Sequence, residues 1–340
     1  MNNQTDSNDS VVSDGTCIIT QTQRSITMPI LILFAIPSLI CFLFIFYHFF
    51  KLRKRLIYDS VNHHVILFIL ILDFLLILSE LPITLYYLAL GNVQTKNICI
   101  FWIYWDYSLE TSSLFLTMYA AIERYFLVFH KHHILKHKYL FHYIPMFIIG
   151  FYIPIIYFYL VILSPCAMDH PYDITSFVCG GACFFSYVAV NTYDTIVDTL
   201  VPCLILLIFN LLIILRVIIA RGRVFATQSL IDILKKNRRM ILQLFGISFM
   251  CLLSWMPWVV IIIAQNFFIP TFGNWFITYM LHYLPYITAS TSPFLALIGL
   301  PEIRKHLNIS KYQTKTSTAA TKSTTAPAMP SEIPEKNNFD

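Results

Sequence analysis

The stretch DYSLETSSLFLTMYAAIERY, residues 106–125, decides how the chain folds. Asp106, Glu110, Ser113, Thr117, Ala120 and Arg124 recur in it at steps of three and four, which sets them on one face of a helix of 3.6 residues per turn. Leu109, Leu114, Phe115, Leu116, Met118 and Ile122 fill the rest of the surface. At 1.5 Å rise per residue Asp106 and Arg124 stand about 27 Å apart, close to the ~30 Å thickness of bilayer hydrocarbon. A polar seam of that length on an otherwise apolar helix belongs inside a bundle within a membrane, where ionisable residues are costly and mark function.

The composition around this stretch agrees. The 340 residues are 57% hydrophobic and 12% charged, with mean hydropathy +0.68, which leaves too little polar surface for a water-soluble globule. Apolar segments long enough to span occur near Met28–Phe50, His64–Ala89, Asn97–Phe129, Tyr139–Leu163, Thr192–Ile219, Arg239–Ala264 and Trp275–Leu300. The first has no short apolar core with a small-residue cleavage site before it and reads as a retained helix. Prolines interrupt most of the spans (Pro37, Pro82, Pro154, Pro202, Pro257, Pro285, Pro293), as a bundle in lipid tolerates. The expected fold is an all-α membrane protein, a seven-transmembrane helix bundle.

Basic residues set its orientation. The turns after the first, third and fifth spans hold Lys51, Arg53, Lys54 and Arg55, then Lys131, Lys136 and Lys138, then Arg221, Arg223, Lys235, Lys236 and Arg238. The amino-terminal tail and the other turns offer Arg24 and Lys96, so the amino terminus is expected outside and the carboxy terminus in the cytosol. The formal charge of +5 is thereby a topology signal and calls for no nucleic acid. Asn3 and Asn8 begin glycosylation tripeptides in an extracellular tail, residues 1–27. The seven-span domain covers 28–307 and ends in a short basic stretch along the inner surface. Residues 308–340 form a Ser/Thr-rich cytoplasmic tail expected to be disordered, with Thr316, Ser317 and their neighbours as phosphorylation candidates.

Cys17, Cys99, Cys166, Cys179 and Cys183 fall on the outer side, where disulfides persist, while Cys41, Cys203 and Cys251 lie within spans. A bridge from Cys99, at the start of the third span, to Cys179 or Cys183 would tie the long loop between spans four and five over the bundle mouth; spacing does not choose between the two. His63, His64 and the run from His130 to His137 lie at cytosolic turns without metal-ligand spacing and read as solvated basic residues.

Several of these features together resemble the rhodopsin-like (class A) G-protein-coupled receptors. Glu123-Arg124-Tyr125 is similar to that family's Asp/Glu-Arg-Tyr motif, Asp73 with Pro82 to its second-helix pair, Cys99 to its third-helix cysteine, Pro202 to its fifth-helix proline and Ser254-Trp255-Met256-Pro257 to its sixth-helix motif. The resemblance covers the membrane region from about Met28 to Leu307. It implies a multi-pass receptor of the plasma membrane that couples to heterotrimeric G proteins, with Glu123, Arg124, Tyr125, Trp255, Pro257 and Pro293 in the switch and with arrestin and a receptor kinase acting on the tail. The chain departs from the pattern at Ser292-Pro293-Phe294-Leu295-Ala296, where the family has Asn-Pro-x-x-Tyr, at Asn210 in place of a switch tyrosine, and at Asn237 in place of an acid that pairs with the motif arginine. The last departure implies a weaker inactive-state lock.

By the same resemblance Asp106 stands where aminergic receptors hold a ligand ammonium, and Tyr286 where a tyrosine bonds that aspartate. Glu110, Asp194, Asp198 and Glu80 make the mouth acidic, with Trp102, Trp105, Tyr107, Trp255 and Trp258 as aromatic walls, which points to a small cationic or amine-like extracellular ligand. The plain alternative is that these acids are protonated, hydrated or paired with Arg24 or Lys96. Asp73, Ser113, Thr288 and Ser292 match an allosteric sodium site in outline; no other cofactor is expected.

Other functions fit less well. The seventh span has no lysine for retinal, the chain shows no repeated halves of a transporter, and no span carries a nucleophile–base–orienter set for catalysis. The remaining alternative is a cation-conducting or scaffold protein that retains the receptor fold.

Overall fold

The computed structural model describes residues 21–54, 62–129, 136–222 and 228–300. Asn3, Asn8, Cys17, the 302–307 segment and the 308–340 tail lie outside these residues, and so does the side chain of Asn237. Seven long helices run through the described residues, and no strand occurs among them. They are α1 (Gln21–Lys51), α2 (His63–Leu90), α3 (Lys96–Phe129), α4 (Tyr139–Leu163), α5 (Val188–Tyr193 continuing through Val201–Gly222), α6 (Gln228–Phe267) and α7 (Leu284–Gly299). By length and composition α1, α2, α4, α5 and α6 can each cross a bilayer. The acids and Arg124 keep α3 out of that set, and α7 is shorter because the chain before it leaves helical geometry at Met280 (φ −131°, ψ −52°).

α3 touches α2, α4, α5 and α6, while α7 packs on α6, α1 and α2 and closes the ring. Apolar residues turned away from these contacts stay exposed, as with Leu33 and Phe50 on α1 and Phe147, Phe151 and Ile155 on α4. Such a belt would be untenable in water and suits lipid. Among the described residues α1 is already helical from Gln21, ahead of the expected Met28, and in its first turn the buried Gln23 donates from Nε2 to Thr278 O at 3.2 Å. α2 ends on Gly91, whose N–H donates to Tyr87 O at 2.7 Å with φ of 80°; the Arg24 guanidinium fills the space where a Cβ would stand.

Three helices share a local device. α2, α4 and α5 each contain a π-helical turn, at Leu76–Glu80, Tyr139–Tyr143 and Asp194–Leu200, immediately ahead of a proline in the second position of the following α-helix: Pro82, Pro145 and Pro202. Proline lacks an N–H and its ring crowds the carbonyl four residues earlier, so the ladder before it widens. In each case the residue preceding the proline donates five residues back, Leu81 to Leu76, Ile144 to Tyr139 and Val201 to Ile196. The extra residue rotates the turn, and Glu80, His142 and Asp198 are buried as a result.

Two disulfides fold the loop between α4 and α5 over the bundle. Cys99 pairs with Cys179, which settles the choice left open by spacing, and Cys166 pairs with Cys183. Asp173 organises the segment between them by accepting from Thr175 N (3.0 Å), Thr175 Oγ1 (2.6 Å) and Ser176 Oγ, and these bonds hold its carboxyl below the usual carboxylate range. Tyr87 Oη donates to Thr175 O at 3.0 Å and fixes the loop to α2. Val178 and Cys179 sit at φ of 46° and 51°, a costly region for a β-branched residue, held here by burial and the bridge. Peptide mapping without reduction should recover Cys99–Cys179 and Cys166–Cys183; a Cys99–Cys183 peptide would contradict this fold of the loop.

Candidate functional site: an acidic cavity and an inner rim

Under the loop lies a cavity of about 390 Å³. Asp106 and Glu110 of α3, Asp194 of α5, and Trp255 and Trp258 of α6 line it, and Phe177 to Gly181 of the loop roof it. Asp106 is 7% exposed and makes no hydrogen bond among the described residues. Glu110, one turn deeper, makes none either, and Asp106, Glu110 and Glu80 lie within electrostatic reach of one another. Asp194 accepts from Tyr157 Oη at 2.8 Å. The cavity thus joins carboxylates from two helices with aromatic rings and no lysine or arginine in its lining.

Some expected members stand elsewhere. Asp198 does not line the cavity; it is turned toward α4 and accepts from Tyr152 Oη at 3.3 Å. Tyr286 does not bond Asp106. It is buried and donates to Glu80 Oε1 at 2.6 Å, with Thr84 Oγ1 at 2.8 Å, because the π turn of α2 brings Glu80 between α3 and α7. Trp102 and Trp105 are not cavity walls: their indole N–H groups donate to Glu80 Oε1 (2.6 Å) and Ser79 Oγ (2.7 Å). Lys96 pairs with none of the acids. It donates to Met168 O at 3.2 Å and lies over the Tyr172 ring.

Glu80 is therefore a structural node. Its Oε1 accepts from Trp102, Tyr286 and Thr84 (2.9 Å), which ties α2 to α3 and α7 at full burial.

Below the acidic cavity a space of about 30 Å³ is lined by Asp73, Ser113, Thr288 and Ser292, and it shares Glu110, Ser254 and Trp255 with the space above. Ser113 Oγ donates to Asp73 Oδ1 at 2.9 Å. Ser292 Oγ lies 2.9 Å from Ala289 O and within bonding reach of Asp73, Thr288 Oγ1 donates to Met250 O at 3.4 Å, and the hydroxyl oxygens keep lone pairs for a cation or water. One carboxylate and three hydroxyls in a space of this size fit a single small ion.

At the inner rim Arg124 is 2% exposed, and Tyr125 packs on Phe209 with the Arg216 guanidinium 4.9 Å from its ring centroid. Asn210, in place of a switch tyrosine, donates from Nδ2 back to Leu206 O within its own helix at 2.7 Å. Glu123 pairs with His142 Nδ1, and His142 Nε2 meets His64 Nδ1 at 2.9 Å. The expectation of solvated histidines is corrected at two positions, since His63 is buried and His64 half-buried, while His137 is exposed as expected and the rest of the His130 to His137 run lies outside the described residues. Sequence reading overlooked His142 altogether, although Pro145 just beyond it carried the same signal as Pro82 beyond Glu80.

Glu80→Ala should leave buried and unpaired the Trp102 indole N–H and one of the two hydroxyl protons of Tyr286 and Thr84, which could then serve only each other. At roughly 1–3 kcal/mol per unsatisfied group, the loss of stability is expected to exceed about 2 kcal/mol. Thermal unfolding of the detergent-solubilised protein measures this, and Glu80→Gln, which retains an acceptor, should lose less. Equal midpoints for wild type and Glu80→Ala would refute the node.

A family model described as 7 transmembrane receptor (rhodopsin family) matches residues 53–295, well over half of the chain. No curated protein matches it. The match spans α2 to α7 with the motif residues on them, and the chain belongs to the rhodopsin family of seven-transmembrane receptors.

Proposed function

We propose that this receptor sits in the plasma membrane with its amino terminus outside, binds a small cationic ligand in the acidic cavity and passes the signal to a heterotrimeric G protein. The observation that carries the ligand reading is Asp106: a carboxylate buried in a cavity wall with no hydrogen-bond donor among the described residues. A desolvated carboxylate needs a positive partner or a proton, and the lining supplies no lysine or arginine. Trp255, Trp258 and Tyr107 add ring faces that favour a cation, while Glu110 and Asp194 raise the negative potential of the same space. Asp198 and Tyr286 support it indirectly, through α4 and through Glu80.

Trp255 borders both cavities, so a ligand pressing on it reaches the Asp73 space and the α6 segment that holds Pro257. The Asp73 space suits an allosteric sodium ion, held by Asp73 and Ser113 with Thr288 and Ser292 beside them. Coupling rests on Glu123, Arg124 and Tyr125 at the inner rim, with Pro293 bending α7. Arrestin and a receptor kinase are the proposed partners of the 308–340 tail. Receptors of this family are in general not enzymes.

Removing one partner of a desolvated charge pair costs roughly 2–5 kcal/mol, on the order of 30-fold or more in affinity. Asp106→Asn should lose that much agonist potency in a nucleotide-exchange assay at normal surface expression. Asp194→Asn should lose less, because Asp194 is less deeply buried than Asp106 and already holds the Tyr157 hydrogen bond. Unchanged potency in Asp106→Asn, or a neutral or anionic agonist, would overturn the cationic reading, and ion current without any G protein would favour a conducting protein instead.

A further inference from the structure

The Glu123–His142–His64 chain is not explained by ligand binding or by the motif arginine. It crosses three helices at their inner ends, with Glu123 on α3, His142 in the π turn of α4 and His64 on α2. His142 is 0% exposed and Glu123 2%. The backbone around His142 is pinned as well, since Tyr119 Oη of α3 donates to Phe141 O at 2.5 Å and reaches His142 O at 3.4 Å. Phe141 O is the carbonyl that Pro145 cannot serve, so the same proline that turns His142 inward also creates the acceptor that holds it.

Hydrogen counting limits what this chain can hold. Facing an ionised carboxylate, His142 Nδ1 carries hydrogen. The contact between His142 Nε2 and His64 Nδ1 needs one hydrogen between two nitrogens. It can come from a neutral His64, or from His142 once His142 has gained a proton, so the chain keeps both bonds with no extra proton or with one. A second extra proton places hydrogens on both facing nitrogens and a positive charge on both rings, and the contact between α2 and α4 is lost.

We propose that Glu123, His142 and His64 form an acid-sensitive clasp at the cytosolic ends of α2, α3 and α4, closed with at most one extra proton and opened when both imidazoles are charged. The open form binds one more proton than the closed form, so falling pH favours opening by linkage. Histidine is the side chain whose ordinary charge change falls between about pH 5 and 8. Among the described residues, the other titratable and charged groups around the clasp include His63 of α2, Tyr119 and Arg124 of α3, and Lys138, Tyr139 and Tyr143 of α4. Arg124 and His63 lie within electrostatic reach of each other, and the Tyr143 ring packs on both His142 and His64. Arg124 adds positive charge to this region and opposes the second proton, while Glu123 favours the first. The clasp thus places a proton-dependent joint beside the arginine of the coupling motif.

The test needs neither agonist nor G protein. Nitroxide labels on Leu140→Cys and Ile71→Cys, at exposed positions of α4 and α2, report the separation of the two helices in the full-length chain in lipid nanodiscs. The free cysteines among the described residues are buried. The distance distribution should hold steady from about pH 8 to about pH 6.5 and lengthen toward about pH 5. In His64→Gln one imidazole is gone and the distance should no longer respond to pH. His142→Gln should behave likewise, and if it does not fold, His64→Gln decides alone. A wild-type distance constant over the whole range, or an acid-induced lengthening that persists in His64→Gln, overturns the proposal.

Discussion

In a bundle surrounded by lipid, an ionisable side chain becomes useful only if the backbone turns it inward, and in this receptor proline sets that turn. Pro82, Pro145 and Pro202 each widen the helical ladder just before them, and the widened turns bring in Glu80, His142 and the Asp194–Asp198 pair. The freed carbonyls do not stay unpaired by default: Phe141 O takes the Tyr119 hydroxyl. Three local departures from α-helical geometry thereby supply the tie at the outer half, one wall of the acidic cavity and the clasp at the inner rim.

Against these, α3 is the fixed element. It is helical without interruption from Lys96 to Phe129 and contacts α2, α4, α5 and α6, so its seam from Asp106 through Ser113 to Arg124 runs past the acidic cavity, the Asp73 space and the inner rim. The outer end is anchored by the Cys99–Cys179 bridge, which also seats the loop as the roof of the cavity. Asp106 faces that cavity, Ser113 the Asp73 space, and Glu123 the histidines. Under the proposed function, ligand binding and coupling would both act along this one uninterrupted helix.

The periodic seam of α3 and the alternation of basic turns were enough to read the bundle, because helical spacing and charge asymmetry are local properties of sequence. Asp106, Glu110, Asp194, Trp255 and Trp258 were legible as cavity residues for the same reason. Tyr286, Trp102 and His142 were not. Their partners depend on the rotation of the π turns, which shifts a side chain by a full position around the helix and has no periodic signature of its own. Tyr286 was assigned to Asp106 on resemblance, yet a carboxylate rotated in from α2 lies closer to it; the acid at Glu80 was visible, its reach was not. His142 shows the limit most clearly, since a histidine near a basic turn looks solvated until the proline after it is taken into account.

The central claim is that Asp106 meets a positive charge. The most direct measurement is a thermodynamic cycle on binding, using two agonist analogues of the same shape, one with a cationic centre and one with a neutral carbon in its place, against wild type and Asp106→Asn. The account predicts that the cationic analogue binds wild type far more tightly than the neutral one and that this advantage largely disappears in the variant. Equal binding of both analogues to wild type, or an advantage of the charge that survives in Asp106→Asn, would contradict it.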